Sequence, residues 1–376
     1  MKLLITGYFG MSNLGDDIML DVFCKEIIAA DETIEVTVAL LNGDRSKLEL
    51  PDGVRILDLS KFKYGKSFIF DHFLNRTFDA FFWIGGTCFT ENAGNGSYNY
   101  MNSFARLGKK TGYLGVGIGN VKSPSKVQRY THLLNQASIV TFRDVESFNQ
   151  AKEWSSNQNL YYCEDLVHLI DIRKPEEIEG DRVIVSWRSL KGYYNENIEN
   201  NAINELLRFM REHFEKEKIE VLVLGSNVDC EINRQIYDRI SEMMPNISVQ
   251  YSNGLSTTEK INHISKAKIA IMGRLHGIFI AEKMGIKTIA IGYDNKSERF
   301  LKSVGRECDL IYPDQVSQAG LNKIYSECLA DKIDFTEKRE AAMKNIQLFI
   351  EKVGGGVNNS FTIVIFYPQM CALGVN

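Results

Sequence analysis

The sequence predicts an α/β protein with two parallel-sheet domains that face each other across a cleft. Apolar, β-branched runs alternate with amphipathic stretches along most of the chain, as strands and helices do in parallel sheets. The alternation stops at a polar linker, residues 172–181, and then restarts. With 376 residues, the chain also exceeds the size of one ordinary hydrophobic core. Two domains are therefore expected, with their strand ends directed at the same cleft.

The composition is typical of a folded globular protein with a small net charge. Apolar residues make up 44% and charged residues 24%, and the formal net charge is −4, so overall charge predicts neither a nucleic acid nor an anionic membrane as partner. Seven scattered cysteines without a CxxC pair predict neither a disulfide framework nor a metal site. The first residues enter a strand directly, and no apolar run reaches the ~20 residues of a membrane span. A cytoplasmic location is predicted.

The first half begins with a strand at residues 3–9 and a glycine-rich turn. Gly10 and Gly15 have the outer spacing of a phosphate-binding P-loop, but Asp16 stands where that loop needs lysine, so a P-loop is not predicted. A helix follows at residues 18–30. Asp16 and Asp17, at its start, either complement the helix dipole or bind hydroxyl groups of a ligand, and the sequence leaves both interpretations open.

The rest of the first half, predicted to span residues 1–175, adds strands and one candidate ligand residue. A strand at residues 138–142 ends at Arg143, which opens another helix. Open α/β sheets bind ligands at the carboxyl ends of their strands, so Arg143 is predicted to contact a ligand. The other strands are predicted at residues 34–41, 54–59, 80–87 and 111–119, with a loop at 92–102 and a helix at 123–137.

The second half, predicted at residues 182–353, repeats the alternation. Its strands are predicted at residues 183–187, 220–224, 247–251, 269–272, 288–293 and 310–312, and its helices at 198–216, 231–243, 257–266, 278–284, 315–330 and 336–353. A tail at residues 354–376 contains an apolar run that does not continue the alternation of strands and helices. No role is predicted for it.

Two strand ends in the second half carry cationic residues. Residues 269–272 lead into Gly273, and Arg274 and His276 follow at the start of a helix; the strand at 288–293 leads to Lys296 at the start of the next helix. Helix N-termini favour anions, and the carboxyl ends of neighbouring parallel strands meet at one edge. Arg274, His276 and Lys296 are therefore expected to converge on one anionic ligand.

Short motifs occur in a fixed order between about residues 3 and 300. They are Gly7-Tyr8-Phe9-Gly10, Asn13-Leu14-Gly15-Asp16, Gly85-Gly86, Gly115-Val116-Gly117-Ile118-Gly119, Phe142-Arg143-Asp144 with Ser147, Glu164-Asp165, Gly273-Arg274-Leu275-His276, and Tyr293 with Lys296. Together they resemble the polysaccharide pyruvyl transferase family. Thr87 and Asn120 depart from the family pattern, in which glycine and proline are usual there.

The resemblance implies two Rossmann-like halves, similar to GT-B glycosyltransferases. It also implies an enzyme that moves pyruvate from phosphoenolpyruvate to a sugar of a cell-surface polysaccharide or exopolysaccharide, or of its precursor, as a ketal with release of phosphate. Catalysis would fall to His276 and Arg274. Donor binding would fall to Arg143, Arg274, His276 and Lys296. Acceptor binding or the role of base would fall to Asn13, Asp16, Asp165 or Glu164.

The partners implied are phosphoenolpyruvate, as co-substrate rather than cofactor, and an acceptor sugar. The acceptor is nucleotide-linked, lipid-linked or polymeric, and a lipid-linked acceptor would bring peripheral contact with a membrane. Neither a metal nor a nucleic acid is expected. Two alternatives remain open: a GT-B glycosyltransferase that uses a nucleotide sugar, and a catalytically silent sugar- or nucleotide-binding module.

Overall fold

Two parallel β-sheets organise the protein. The computed structural model describes residues 1–92, 94–172, 180–225 and 227–354. Most of the predicted linker and nearly all of the predicted tail lie outside these described residues. The predicted boundary between residues 175 and 182 therefore stays a prediction.

The first sheet has the strand order 3-2-1-4-6-7-8, with strand 5 paired to strand 6. Successive residues of a strand point to opposite faces, and accordingly Leu3 and Ile5 belong to one apolar cluster while Leu4 belongs to another. Helices therefore cover the sheet on both sides. The strands are β1 Lys2–Thr6, β2 Glu35–Leu40, β3 Arg55–Asp58, β4 Ala80–Ile84, β5 Thr87–Phe89, β6 Lys110–Ile118, β7 Ile139–Phe142 and β8 Leu160–Tyr162.

The helices of this half include two stretches that the sequence analysis missed. Residues 66–77 form a helical segment, in which a π-helical turn, Phe70–Leu74, joins two short helices. The predicted loop at residues 92–102 is partly wrong, because a helix begins at Tyr98 and buries Met101 and Phe104, three residues apart. The helices are α1 Leu14–Ala30, α2 Lys66–Ile69, α3 Asn75–Thr77, α4 Tyr98–Ala105, α5 Pro124–Gln136 and α6 Val145–Trp154.

The second sheet has six parallel strands in the order 11-10-9-12-13-14. With the first sheet, it confirms the predicted α/β fold of two parallel-sheet domains. The strands are β9 Arg182–Ser186, β10 Lys218–Leu222, β11 Val249–Ser252, β12 Ala267–Met272, β13 Lys287–Ile291 and β14 Leu310–Ile311. The helices that follow are α7 Glu196–His213, α8 Asn227–Met243, α9 Thr257–Ser265, α10 Leu275–Lys283, α11 Asn295–Ser303, α12 Gln318–Glu327 and α13 Thr336–Lys352.

Helix α13 is the last helix within the predicted second domain, residues 182–353, and it follows the second sheet in the chain. The helix packs against the first sheet, where the buried ring of Phe349 makes edge contacts with Phe23 and Phe82 at centroid distances of 6.2 and 5.0 Å. Asn345 is also buried, and its Nδ2 donates to the carbonyl oxygen of Glu164 at 3.0 Å. The chain thus returns to the first half after completing the second.

The two halves are in direct contact. The backbone N–H of Leu14 donates to the carbonyl oxygen of Leu224 at 3.1 Å, and Nζ of Lys260 donates to that of Ser12 at 3.0 Å. One apolar cluster runs through residues of both halves. Among the helices of the described ranges, none is both long and apolar enough to cross a bilayer.

Candidate functional site

The turn after β12 places two basic side chains at the boundary between the halves. Gly273 donates its N–H to Ser186 of β9 at 2.7 Å, and a Cβ at Gly273 would lie 2.7 Å from the backbone nitrogen of Arg188. The turn therefore packs closely against the end of β9. Arg274 follows in extended conformation, and helix α10 starts one residue later. This geometry directs His276 toward Gly15 of the first half, whereas the guanidinium of Arg274 stays against Asp229 and Gly225 of the second half.

Arg274 is anchored by a carboxylate that the sequence analysis did not identify. Its Nε donates to Oδ2 of Asp229 at 2.5 Å, and Oδ1 of Asp229 accepts the backbone N–H of Ser189 at 3.2 Å. A Cβ on Gly225 would lie 2.2 Å from Nε of Arg274, so the glycine lets the guanidinium lie against the backbone. Asp229 and Arg274 are 45 residues apart in the chain, so no local motif could have revealed this contact.

His276 is half-buried and lies directly against the first half. A Cβ on Gly15 would be 1.9 Å from Nδ1 of His276, so only glycine at the start of α1 leaves room for the ring. Nε2 of His276 is buried without a hydrogen-bond partner among the described residues. Burial lowers the pKa of His276 to about 4; Asp165 opposes this shift, whereas Arg143 and Arg274 add to it. The imidazole is therefore neutral near neutral pH.

Arg143 lies at the end of β7, in the first half, and is paired with Asp165. Its guanidinium donates to Oδ2 of Asp165 at 2.8 Å and to Oγ1 of Thr87 at 3.1 Å. Burial favours a raised pKa for Asp165, but Arg143 and His276 outweigh it and hold the pKa of Asp165 below its usual value. Asp165 is thus an ionised partner that fixes the position of Arg143.

Asp16 lies in the first turn of α1, beside this pair. Its side chain is 7% exposed, and Oδ2 accepts a hydrogen bond from Nδ2 of Asn13. Burial raises the pKa of Asp16 to about 6, although Arg143 and Asn13 lower it. Asp17 has a different environment, because its Oδ1 accepts the backbone N–H of Gly10 at 2.8 Å. Asp17 therefore supports the glycine-rich turn, whereas Asp16 interacts with Arg143 and Asp165. Neither acid is among the residues that line the cavity described below.

Lys296 approaches from the neighbouring strand end. Asp294 caps helix α11 by accepting the backbone N–H of Lys296 at 3.0 Å, and Nζ of Lys296 lies 3.8 Å from Oδ2 of the same carboxylate. Burial lowers the pKa of Lys296, and the positive charges of Arg143 and Arg188 lower it further. The side chain of Lys296 is 41% exposed, so it remains accessible from solvent.

A cavity of about 270 Å³ lies between the halves at these residues. Arg143, His276 and Lys296 line it together, so the structure brings three of the four predicted donor-binding residues to one space. Arg274 does not line this cavity; it lies close enough to lower the pKa of His276. Further lining residues that carry charge are Asp144, Glu146, Glu164, Asp165, Arg299 and Lys338.

Two of the additional charged residues close the rim of the cavity. Arg299 of α11 and Glu146 of α6 form an ion pair with an N–O distance of 2.5 Å. The two side chains are 41% and 63% exposed, and exposed pairs contribute little to stability. The pair therefore marks the place where the halves meet at the surface rather than a strong clamp.

Arg188 is a basic residue that was not among the predicted ligand-binding residues. Its guanidinium lies over the ring of Tyr293 at 4.2 Å and near that of Tyr193 at 5.3 Å. Nε of Arg188 is buried without a hydrogen-bond partner within the described ranges. Arg188 directly follows the strand predicted at residues 183–187. Arg143 was selected as a ligand residue because it directly follows a strand, and the same criterion would also have selected Arg188.

His168 lies behind the cavity and is 4% exposed. Its ring packs against Phe279 and Phe335 at centroid distances of 5.0 and 5.8 Å. Burial lowers the pKa of His168 to about 3, against the opposing charge of Asp165. It is a packed, neutral histidine. Among the described residues, no group of three or more His, Cys, Asp or Glu side chains has the arrangement of a metal site.

Comparison with known proteins supplies a family and a fold. The family model for polysaccharide pyruvyl transferase matches residues 13–295. Among solved structures, the UDP-GlcNAc 2-epimerase of Methanocaldococcus jannaschii superposes with a TM-score of 0.63 at 12% identity, covering 93% of this chain and 100% of that chain. The enzyme of the same name from Rickettsia bellii gives a TM-score of 0.60 at 10% identity, covering 93% and 96%. Curated protein sequences include no match. At these identities the solved structures show the GT-B-type fold alone.

Proposed function

The chain belongs to the polysaccharide pyruvyl transferase family, and we propose that it transfers pyruvate from phosphoenolpyruvate to a sugar of a cell-surface polysaccharide or its precursor. The product is a ketal, and phosphate is released. The observation that carries this proposal is the cavity at which Arg143, His276 and Lys296 meet. A cytoplasmic location and independence from metal ions are parts of the same proposal.

The charges around the cavity suit phosphoenolpyruvate. This donor carries a carboxylate and a phosphate, and arginine binds such oxygens through two parallel hydrogen bonds. Arg143 is already oriented by Asp165 at 2.8 Å, and Lys296 approaches from the opposite half. The donor would therefore lie between the halves, with its negative charge shared by both.

His276 is suited to move a proton in this reaction. Its pKa is low because burial and nearby cations disfavour the imidazolium. A bound phosphate would add negative charge beside the ring and raise that pKa. The protonated ring would then act as general acid, giving a proton to C3 of the enol or to the departing phosphate.

Ketal formation also needs a base, and the environments of the three candidates favour Asp16. Two sugar hydroxyls add to C2 of the donor, the bond from C2 to the phosphate oxygen breaks, and both hydroxyl protons must leave. Asp165 is held by Arg143 with a lowered pKa, and Glu164 accepts from Lys338 at 3.2 Å and from Tyr162 at 3.1 Å. Asp16 has a pKa raised to about 6, so it can accept a proton near neutral pH.

The acceptor and its carrier are open to test. A structure of the M. jannaschii UDP-GlcNAc 2-epimerase, with a TM-score of 0.60 to this chain, contains UDP-GlcNAc and UDP. This supports including nucleotide-linked sugars among the acceptors assayed. Lipid-linked and polymeric sugars belong in the same pool.

The decisive experiment measures both donor use and donor binding. Chelator-treated protein is incubated with phosphoenolpyruvate and the sugar pool, and phosphate release and pyruvylated sugar are followed by colorimetry and mass spectrometry. We expect both products, and we expect phosphoenolpyruvate to raise the unfolding temperature. His276→Ala should lower turnover by at least ~100-fold, whereas His132→Ala, at an exposed histidine outside the cavity, should leave it unchanged.

The other outcomes separate the alternatives. Transfer of a sugar from a nucleotide donor without any pyruvylation would identify a GT-B glycosyltransferase. Binding of sugars or nucleotides without any product would identify a silent binding module. Full turnover by a folded His276→Ala variant would remove His276 from the mechanism while leaving the donor assignment intact.

A further inference from the structure

A segment of the first half has aromatic rings and lysines on its outer side. Residues 61–77, here called the basic aromatic segment, include the loop after β3, the helices α2 and α3 and the turn between them. It carries four Lys and Arg residues against one aspartate in a chain whose net charge is −4. Its exposed large apolar side chains are Phe62 at 48%, Tyr64 at 79%, Phe68 at 57% and Phe73 at 59%.

The fold of this segment does not depend on those outer rings. Its inner side is fixed by Phe70, which is fully buried and stacks on Tyr100 at a centroid distance of 4.0 Å. Leu74 and Asn75 are buried on the same side, and Nδ2 of Asn75 donates to Oγ of Ser103 at 2.9 Å. The outer rings are therefore not needed to fill the hydrophobic core. Exposed apolar patches of this kind mark interaction surfaces.

Basic residues continue beyond the segment on the adjoining surface. Arg106 and Leu107, at the end of α4, are exposed, and Arg106 reaches back to Asp71 at 2.9 Å. Lys109 and Lys110 follow in the chain and line the same surface cavity as Arg106. Basic residues thus continue from the helical end of the segment to the start of β6, where Arg106 pairs with Asp71 and Lys109 with Asp79.

We propose that the basic aromatic segment docks this protein on an anionic lipid bilayer. Interfacial helices combine lysine and arginine with aromatic and aliphatic side chains in this way, and each basic residue near an anionic leaflet adds attraction. A protein partner fits less well, because protein interfaces are depleted in lysine. In residues 61–64, two lysines alternate with two exposed aromatic residues.

The position of the segment relates docking to the cleft. Its loop follows β3, at the carboxyl edge of the first sheet, and Nζ of Lys66 donates to the carbonyl oxygen of Leu41, just past β2. Arg143 lies at the same edge, after β7. The loop at residues 61–65 is therefore the part of the segment nearest the edge of the sheet that carries the cavity, whereas the helical part leads back to the start of β4 at the opposite edge. The docking stands apart from the proposed reaction, and its test uses no substrate.

The test is flotation of the full chain with vesicles. We expect the protein to float with vesicles of equal parts phosphatidylcholine and phosphatidylglycerol, to remain unbound with phosphatidylcholine alone, and to dissociate progressively as salt screens the charges. Lys61→Gln with Lys63→Gln should weaken binding by about fivefold for each charge removed. Phe68→Ser with Phe73→Ser should also weaken binding, at unchanged net charge.

The matched control is Lys302→Gln with Lys323→Gln, which removes the same charge from exposed positions in the second half and should bind as the parent does. Thermal unfolding checks that each variant is folded. Absence of flotation, equal binding by the segment variants, or an equal loss in the control pair would each overturn the proposal. A lower molecular mass for the Phe68 and Phe73 variant in sedimentation would show that a second copy of the chain covers the segment, and would overturn it as well.

Discussion

At the scale of single residues, burial gives the two acids at the start of α1 their unusual protonation. The pKa of Asp16 is raised to about 6 and that of Asp17 to about 7, in both cases mainly by burial. Asp16 is adjacent to the cavity residues Arg143 and Asp165, whereas Asp17 accepts from Gly10. The two neighbours can therefore be tested against each other.

We predict that turnover falls as the pH drops below about 6 because Asp16 becomes protonated. Asp16→Asn should be slow at every pH and should lack this acidic limb. Asp17→Asn is the matched control and should keep the limb. The measurement is the pH profile of kcat/KM for the pyruvyl transfer. An unchanged limb in Asp16→Asn would assign the base to another group.

The stability of the same variants gives a readout that does not depend on catalysis. The pKa of folded Asp16 lies above the usual 3.8, so the folded state holds its proton more tightly than the unfolded state does. Stability from this group is therefore present at low pH and is lost as the pH rises from about 4 through about 6. As the pH rises through this window, the free energy of unfolding of Asp16→Asn should increase relative to that of the parent by on the order of 3 kcal/mol. Denaturant unfolding at each pH measures this difference.

We expect donor binding by Arg274 to depend on the position of its guanidinium as well as on its charge. Asp229→Asn should loosen the guanidinium and raise KM for phosphoenolpyruvate more than it lowers kcat, because the lost contact positions Arg274 rather than reacting. Arg274→Lys should weaken donor binding in calorimetry, since an ammonium cannot form the planar pair of hydrogen bonds. Arg208→Lys, at an exposed arginine paired with Glu205, is the control. Unchanged donor affinity in Arg274→Lys would remove Arg274 from the donor site.

The sequence identified some of these residues and missed others for a physical reason. Arg143, His276 and Lys296 each follow a strand, and strand ends can be read from local patterns. Asp229 and Gly225 contact Arg274 from more than 40 residues earlier in the chain, and no local pattern reports such a contact. Arg188 also directly follows a predicted strand, so its position in the sequence was sufficient to predict it as a ligand residue.

At the scale of elements, α13 belongs to the first sheet in space and follows the second half in sequence. Its amphipathic pattern predicted a helix at the correct place, but a pattern gives the buried face and not the surface that covers it. Phe349→Ala should therefore destabilise the protein by about 3–5 kcal/mol, the usual loss for a large buried aromatic residue. Phe68→Ala, at an exposed ring, is the control. A loss below ~1 kcal/mol in equilibrium unfolding would show that α13 is only loosely attached.

At the scale of the whole molecule, the proposed donor site draws on both halves. Arg143 lies on the first half, and His276 and Lys296 lie on the second. Phosphoenolpyruvate should therefore favour the arrangement in which the halves are in contact, and small-angle scattering should show a smaller radius of gyration with donor than without. Arg143→Ala should abolish this change, and Arg129→Ala, at an exposed arginine of the same half, should keep it. Compaction that survives in Arg143→Ala would place Arg143 outside the closing mechanism.

The return of α13 to the first half limits how the halves can move. Because α13 follows the second half in the chain yet packs on the first sheet, the chain crosses between the halves twice, the second time between Glu327 at the end of α12 and Thr336 at the start of α13. A body tethered at one point can turn in any direction, but a body tethered at two points turns freely only about the line through both. Phe335, buried next to α13 and packed against Phe279 and Phe300, holds the second tether in place. Opening and closing should then have essentially one degree of freedom, so that each closure returns His276 to the same position against Gly15.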